Sequence, residues 1–323
     1  MPDSTHPVIA QPAQPLRLGT RASPLAMAQA YEARALLCAA HGWALEAVEI
    51  VSVTASGDKV LDRPLAEIGG KALWTKELDG WLYEGEIDFA VHSAKDVETI
   101  RPDWLTIAAV LPREDVRDCL VGAPSIEALP QGARLGTSAP RRAAQMLHLR
   151  PDVQIVPFRG NVATRLGKLA AGEANATLLA MAGLNRLGQG DLGQGDVGTA
   201  LPAQSWLPAP GQGAIAIECR SDDASTRALL AAINCADSQT ALLAERALLA
   251  ALGGNCHSAI AALTTKGEGS WHLRASLFSP DGQDRVDGQT SFTAGDSAAP
   301  ARLAGELLAK APASITSQFQ PEA

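Results

Sequence analysis

Four short segments of this chain pair a cation with a hydroxyl or an amide: Thr20-Arg21-Ala22-Ser23, His92-Ser93-Ala94-Lys95-Asp96, Thr137-Ser138-Ala139-Pro140-Arg141-Arg142, and Arg159-Gly160-Asn161 with Arg165 one turn on. Guanidinium forks match carboxylates in bidentate fashion, so these segments suit the gripping of an anionic ligand. Between Arg134 and Lys168 seven cations (Arg134, Arg141, Arg142, Arg150, Arg159, Arg165, Lys168) stand against one anion, Asp152. Arg141 and Arg142 open a helix, where a cation opposes the dipole by about 0.3–1 kcal/mol. A bound anion would reverse that sign. The competing explanation is pairing with surface acids, which is common and weak. Asp96 stands apart, a carboxylate beside Lys95 that could stabilise a positive intermediate, accept a proton or simply cap a helix. Cys256 lies in Leu252-Gly253-Gly254-Asn255-Cys256-His257, a Gly-bracketed turn where a thiol could act as nucleophile or covalent anchor. Cys38 and Cys219 fall in apolar patterns and read as inert.

The elements that must position these residues alternate strand with helix. Leu16 to Gly19 reads as a strand, and Pro24 to His41 as a helix with Ser23 as cap and Gly42 as stop. Strands at Ala47 to Val53 and Ile87 to His92 flank a helix at Thr75 to Gly85, and the Gly-rich stretch Ser56 to Lys71 reads as a mobile loop. The pattern restarts after Pro112, with strands near Cys119 to Val121, up to Gly136, at Gln154 to Phe158 and at Ala176 to Ala180, and helices from Pro140 and Asn161. Gly188 to Gly198 is a loop, Gly211-Gln212-Gly213 a hinge, and Ala214 to Cys219 a strand able to return to the first sheet. Helices near Ser238 to Leu252 and Pro300 to Lys310, around strands such as Trp271 to Phe278, form a smaller α+β domain. The expected domains are 1–111 with 210–228, 112–209, and 229–323. In open α/β sheets ligands sit at the carboxyl ends of strands, where all four cationic segments fall.

At 323 residues, 46% hydrophobic and 19% charged, the chain has enough apolar material for two or three cores, and it holds no run long enough to span a membrane. The segment Met1 to Pro15 lacks an apolar h-region and reads as a disordered leader, which points to the cytoplasm. Five scattered cysteines, never in a CxxC pair, argue for a reducing compartment and against a disulfide framework or a structural zinc; no metal is expected. A net charge of −8 and 4% aromatic residues argue against nucleic acid as partner.

The chemistry-bearing residues also fall in an order that resembles the porphobilinogen deaminase (hydroxymethylbilane synthase) family of tetrapyrrole and heme biosynthesis. The resemblance rests on Leu18-Gly19-Thr20-Arg21-Ala22-Ser23-Pro24-Leu25-Ala26, Gly69-Gly70-Lys71, His92-Ser93-Ala94-Lys95-Asp96-Val97, Arg141-Arg142, and Arg159-Gly160-Asn161-Val162-Ala163-Thr164-Arg165-Leu166. It continues in Ala182-Gly183-Leu184-Asn185-Arg186-Leu187-Gly188 and Leu207-Pro208-Ala209-Pro210-Gly211-Gln212-Gly213-Ala214, and spans about Leu16 to His257.

The resemblance implies an α/β fold of two periplasmic-binding-protein-like domains around a cleft, plus a smaller C-terminal α+β domain. It implies a monomeric transferase that joins porphobilinogen units head to tail, releasing ammonia, on a dipyrromethane cofactor held by a thioether to Cys256. Arg21, Lys95, Arg141, Arg142, Arg159, Arg165 and Arg186 would bind the acetate and propionate groups, with Ser23, Lys71, Ser93, Thr137, Ser138 and Asn161 assisting. Asp96 would be the catalytic carboxylate. The chain departs from the family pattern at Ala139 and Pro140, where a hydroxyl is lost, at Glu67 in place of a lysine, and at Asn255 before the cysteine. A non-catalytic anion receptor would use the same arginines, but it predicts an unmodified Cys256.

Overall fold

The computed structural model describes residues 10–53, 75–188, 198–254 and 258–319. Lys71, Cys256, the loop 56–71 and most of the glycine run 188–198 lie outside these, as do residues 1–9 of the leader. The chain divides into two compact units. The first holds the described residues of 1–60, 70–113 and 214–239, and the second those of 114–213 and 240–323.

The first unit begins with β1 (Leu16–Arg21), followed by α1 (Pro24–His41) and β2 (Val48–Val53). Ser23 Oγ accepts from Ala26 N at 3.4 Å, Pro24 takes the first turn, and Gly42 at φ 70° ends the helix. Each of these devices was expected from residue type. Ala30, Ala33 and Leu37, spaced on one helical face, bury against Leu18 of β1 and against Phe89 and Val91 of β3 (Phe89–Ser93). Full burial of one such leucine contributes about 1.5–3 kcal/mol relative to exposure. Before β3 comes α2 (Lys76–Glu84), and after it β4 (Leu105–Val110).

The second unit opens with β5 (Asp118–Val121) and continues through β6 (Arg134–Gly136), α3 (Pro140–Leu149), β7 (Gln154–Val156), α4 (Val162–Ala170), β8 (Ala176–Ala180), α5 (Met181–Arg186) and β9 (Thr199–Ala200). The chain then returns to the first unit as β10 (Ile215–Arg220) and α6 (Ala224–Ala231). β10 inserts antiparallel between β3 and β4, which completes a sheet of order β2-β1-β3-β10-β4 with β2, β1 and β3 parallel. The second sheet repeats the scheme as β7-β6-β8-β5-β9, with β5 in the antiparallel place. The fold is therefore the expected α/β one, two halves of like strand order with a smaller α+β part after them.

That last part starts with α7 (Ala236–Leu252) and forms an antiparallel meander of β11 (Ile260–Lys266), β12 (Trp271–Phe278) and β13 (Arg285–Phe292), closed by α8 (Ala298–Lys310) and the short α9 (Ala313–Thr316). Leu248, Leu252, Leu273, Leu277, Leu303 and Leu307 share its core. Buried Glu245 on α7 accepts from Gly211 N at 2.6 Å and from Thr264 N at 2.8 Å, which fixes this helix to the 211–213 turn and to β11. Gly253 at φ 68° ends α7 directly before residues 255–257.

Candidate functional site

In the first unit two of the four cationic segments converge. β1 and β3 are parallel neighbours, so the turns after Arg21 and Ser93 emerge at the same sheet edge. They line one recess with Arg21, Ser23, Gln29, His92, Ser93 and Asp96 among its walls. Gln29 and Ser93 fix each other, with Gln29 Nε2 donating to Ser93 Oγ at 2.8 Å and Oε1 accepting from it at 3.1 Å. Asp96 ends a 3-10 turn, Ala94–Asp96, and caps no α-helix, so the capping role is not the one it plays. Lys95 on the same turn is exposed and is not part of the recess lining.

In the second unit the other two cationic segments follow the carboxyl ends of β6 and β7, and α5 with Arg186 follows that of β8; the three strands are parallel neighbours. Asn161 caps α4, its Oδ1 accepting from Thr164 N at 2.9 Å and from Thr164 Oγ1 at 3.0 Å. Gly160 enables the approach: at φ 101°, a Cβ there would stand 2.6 Å from Thr164 Cγ2. Arg165 Nε donates to Gly160 O at 3.0 Å, and Arg186 donates from Nη1 and Nη2 to Gly213 O, each at 3.3 Å. Thr137 is buried and its Oγ1 accepts from Ala139 N at 3.2 Å, while Ser138 is exposed. Ala139 occupies the N-cap of α3 and supplies no side-chain cap, the local result of its missing hydroxyl.

Arg141 and Arg142 are placed differently from the expectation. Both are about 5% exposed, and the anion they meet is Asp118 from β5. Arg141 Nη2 lies 2.8 Å from Asp118 Oδ2 and its Nη1 donates to Leu207 O at 3.1 Å. Arg142 donates to Asp118 Oδ1 and, from Nη1, to Leu178 O at 2.8 Å. Trp206 Nε1 and Gln212 Nε2 add bonds to Asp118 at 2.8 and 2.9 Å. Burial alone would raise the Asp118 carboxyl, but the charges of Arg141 and Arg142, with hydrogen bonds from Arg142 and Trp206, outweigh it and hold it far below the carboxylate range. Arg141 is pushed down by burial, and its buried Nε makes no hydrogen bond among the described residues.

Sequence reasoning missed Asp118, whose partners lie 23 to 94 positions away in the chain. The basic window thus divides. Arg150 is engaged by Asp152 at 2.7 Å and by the carbonyls of Ile126, Leu129 and Pro130; Arg134 donates to Gly172 O; Lys168 faces Glu173 at 3.8 Å. These three serve local structure. Arg159 directly precedes the Gly160-Asn161 turn into α4, and Arg165 stands in the first half of that helix.

A family model described as porphobilinogen deaminase, dipyromethane cofactor binding domain, matches residues 16–228, and one described as the C-terminal domain of the same enzyme matches residues 239–311. A curated porphobilinogen deaminase of Sphingopyxis alaskensis is 57% identical over 317 residues, covering 96% of this chain and 98% of the relative. One from Paracoccus denitrificans is 50% identical over 305 residues, covering 94% and 96%. Among solved structures, the periplasmic VFT2 domain of BvgS from Bordetella pertussis aligns with a TM-score of 0.38 at 18% identity, over 68% of this chain and 86% of that one. No helix among the described residues is long and apolar enough to cross a membrane.

Proposed function

The chain belongs to the porphobilinogen deaminase family of enzymes, and from that premise we propose that it joins porphobilinogen head to tail into the linear tetrapyrrole hydroxymethylbilane, releasing ammonia at each addition. The observation that supports this most is the recess where Arg21, Ser23 and Ser93 meet the single carboxylate of Asp96. A cation and hydroxyls suit the acetate and propionate of the substrate. A lone carboxylate suits the positive charge that develops on the methylene-pyrrole as ammonia leaves.

The residues present fit a dipyrromethane primer, which is a polyacid: the cation-bearing termini after β6, β7 and β8 share one sheet edge. When bound, such a primer would supply an electron-rich terminal pyrrole as nucleophile. Arg159, Arg165, Arg186 and Lys95, with Thr137, Ser138, Asn161 and Lys71, would hold its carboxylates and those of the growing chain. Arg141 and Arg142, set by Asp118, would shape the wall behind them. Asp96 would accept hydrogen bonds from pyrrole N–H groups and steady the substrate-derived cation. Cys256 would carry the primer through a thioether. The enzyme would act as a cytoplasmic monomer.

Intact mass of the purified protein tests this. An adduct of two pyrrole units is expected, absent in Cys256→Ser, together with ammonia release from porphobilinogen; a bare polypeptide mass with full turnover would sink the proposal.

A further inference from the structure

Behind the recess of the first unit lies an ion network that the reaction above leaves without a task. Arg101 donates to both oxygens of Asp79 on α2, from Nη2 at 2.6 Å and Nη1 at 3.1 Å, and to both oxygens of Glu218 on β10, from Nε and Nη2 at 3.0 Å. Glu98 Oε2 stands 3.5 Å from Arg101 Nη1. Three carboxylates thus meet one guanidinium in this group. Glu218 is fully buried, at a point where the pairing of β10 with β4 shifts register, and its Oε2 lies 3.5 Å from His92 Nε2. His92 is 7% exposed, and its Nε2 makes no hydrogen bond among the described residues. Leaving a buried polar atom unsatisfied is costly. Yet this imidazole lines the same recess as Asp96.

We propose that His92 is a second proton-handling residue of the recess, taking up the proton that leaves the pyrrole α-carbon once the new carbon–carbon bond has formed, with Glu218 facing the resulting imidazolium. The proposal rests on the reaction proposed above. The bond that breaks is the α-carbon C–H; its electron pair restores the pyrrole ring, and its proton passes to the imidazole and then leaves with ammonia or water. No oxidant or further substrate is required. Arg101, itself held by Asp79, fixes Glu218 in place, and the carboxylates outnumber the guanidinium, so the surroundings are net negative and favour a transient cation.

The charged groups facing His92 come from every element around it: Glu218 from β10, Asp79 from α2, Arg101 from the segment after β3, and Asp96 from the 3-10 turn. Burial pushes the imidazole below its ordinary value of 6.5, Glu218 pulls it up and Arg101 pushes it down, leaving it lowered. It is therefore a neutral base when the reaction needs one.

The experiment is kcat and KM for porphobilinogen across the acid range, for the wild-type holoenzyme, His92→Gln and Glu218→Gln. The wild type should lose kcat on an acid limb below the usual histidine range. His92→Gln should lower kcat by about 10²-fold with KM little changed and the limb gone, and Glu218→Gln should move the limb to lower pH. Folded variants that keep wild-type kcat and an unmoved limb overturn the proposal. If His92→Gln does not fold, Glu218→Gln decides by whether the limb moves. If neither folds, a wild-type profile without that limb overturns it. A wild type that leaves porphobilinogen unconsumed defeats the reaction itself, a distinct outcome.

Discussion

Arg142 directs Nε and Nη2 to a single oxygen of Asp118, at 3.2 and 2.7 Å, and leaves the other oxygen to Arg141 at 2.8 Å. One carboxylate at the start of β5 therefore fixes two guanidiniums at the start of α3. With two cations on one anion, the cluster keeps a net positive charge inside the second unit. A cation pair at a helix N-terminus is tolerable because the anion it needs is built into the adjoining sheet.

Asp118→Asn would leave both guanidiniums buried with their charge uncompensated. Breaking a buried ion pair from one side costs about 3–5 kcal/mol. Urea denaturation should show a loss of that size, with the midpoint lowered and the slope unchanged; a loss below about 1 kcal/mol would mean that water replaces Asp118.

Asp96→Asn tests the catalytic carboxylate. The side chain is exposed at the end of a 3-10 turn and caps no α-helix, so stability should hold. Turnover should fall by about 10²–10³-fold, the scale for removing one charge-stabilising group, while intact mass still reports the two-pyrrole adduct. Near-normal rates would remove Asp96 from this role.

Acid sensitivity should reside partly in Asp223, the N-cap of α6, whose Oδ1 accepts from Thr226 N at 3.0 Å. Burial raises this carboxyl, but hydrogen bonds from Thr226 N, Ser225 and Thr226 Oγ1, with the charge of Arg220, outweigh it and bring it down to about 2 from 3.8. A depressed carboxyl stabilises the fold above its unfolded value, and that share is lost as pH falls from about 4 toward 2. Asp223→Ala should cost about 0.5–2 kcal/mol at neutral pH and flatten the stability profile over that window, as followed by circular dichroism.

The first half of the fold was legible because its signals are local. Ser23, Pro24 and Gly42 mark both ends of α1 within the helix's own sequence, and the return of Ala214 to Cys219 to the first sheet could be read from its apolar run and the sheet's need for a partner. Convergence of Arg21, Ser23, Ser93 and Asp96 followed from strand order. What escaped were the long-range polar pairs. Nothing near Asp118 announces Arg141, Arg142, Trp206 or Gln212, and Arg101 meets Glu218 across 117 positions. Only packing brings such groups together, and a charge count over a window treats Arg150, held by its near neighbour Asp152, like Arg165, which stands at a helix terminus.

The insertion of β10 between β3 and β4 has a consequence for biosynthesis. A ribosome delivers the chain from its N-terminus, and among the described residues β4 pairs in its sheet with β10 alone. Until residue 220 has emerged, the first sheet stays open, with the edge of β3 unpaired, whereas every strand of the second sheet lies between Asp118 and Ala200. The later-made sheet is thus the earlier one able to close, and a nascent chain stalled before Ile215 would expose an edge that invites pairing with its neighbours.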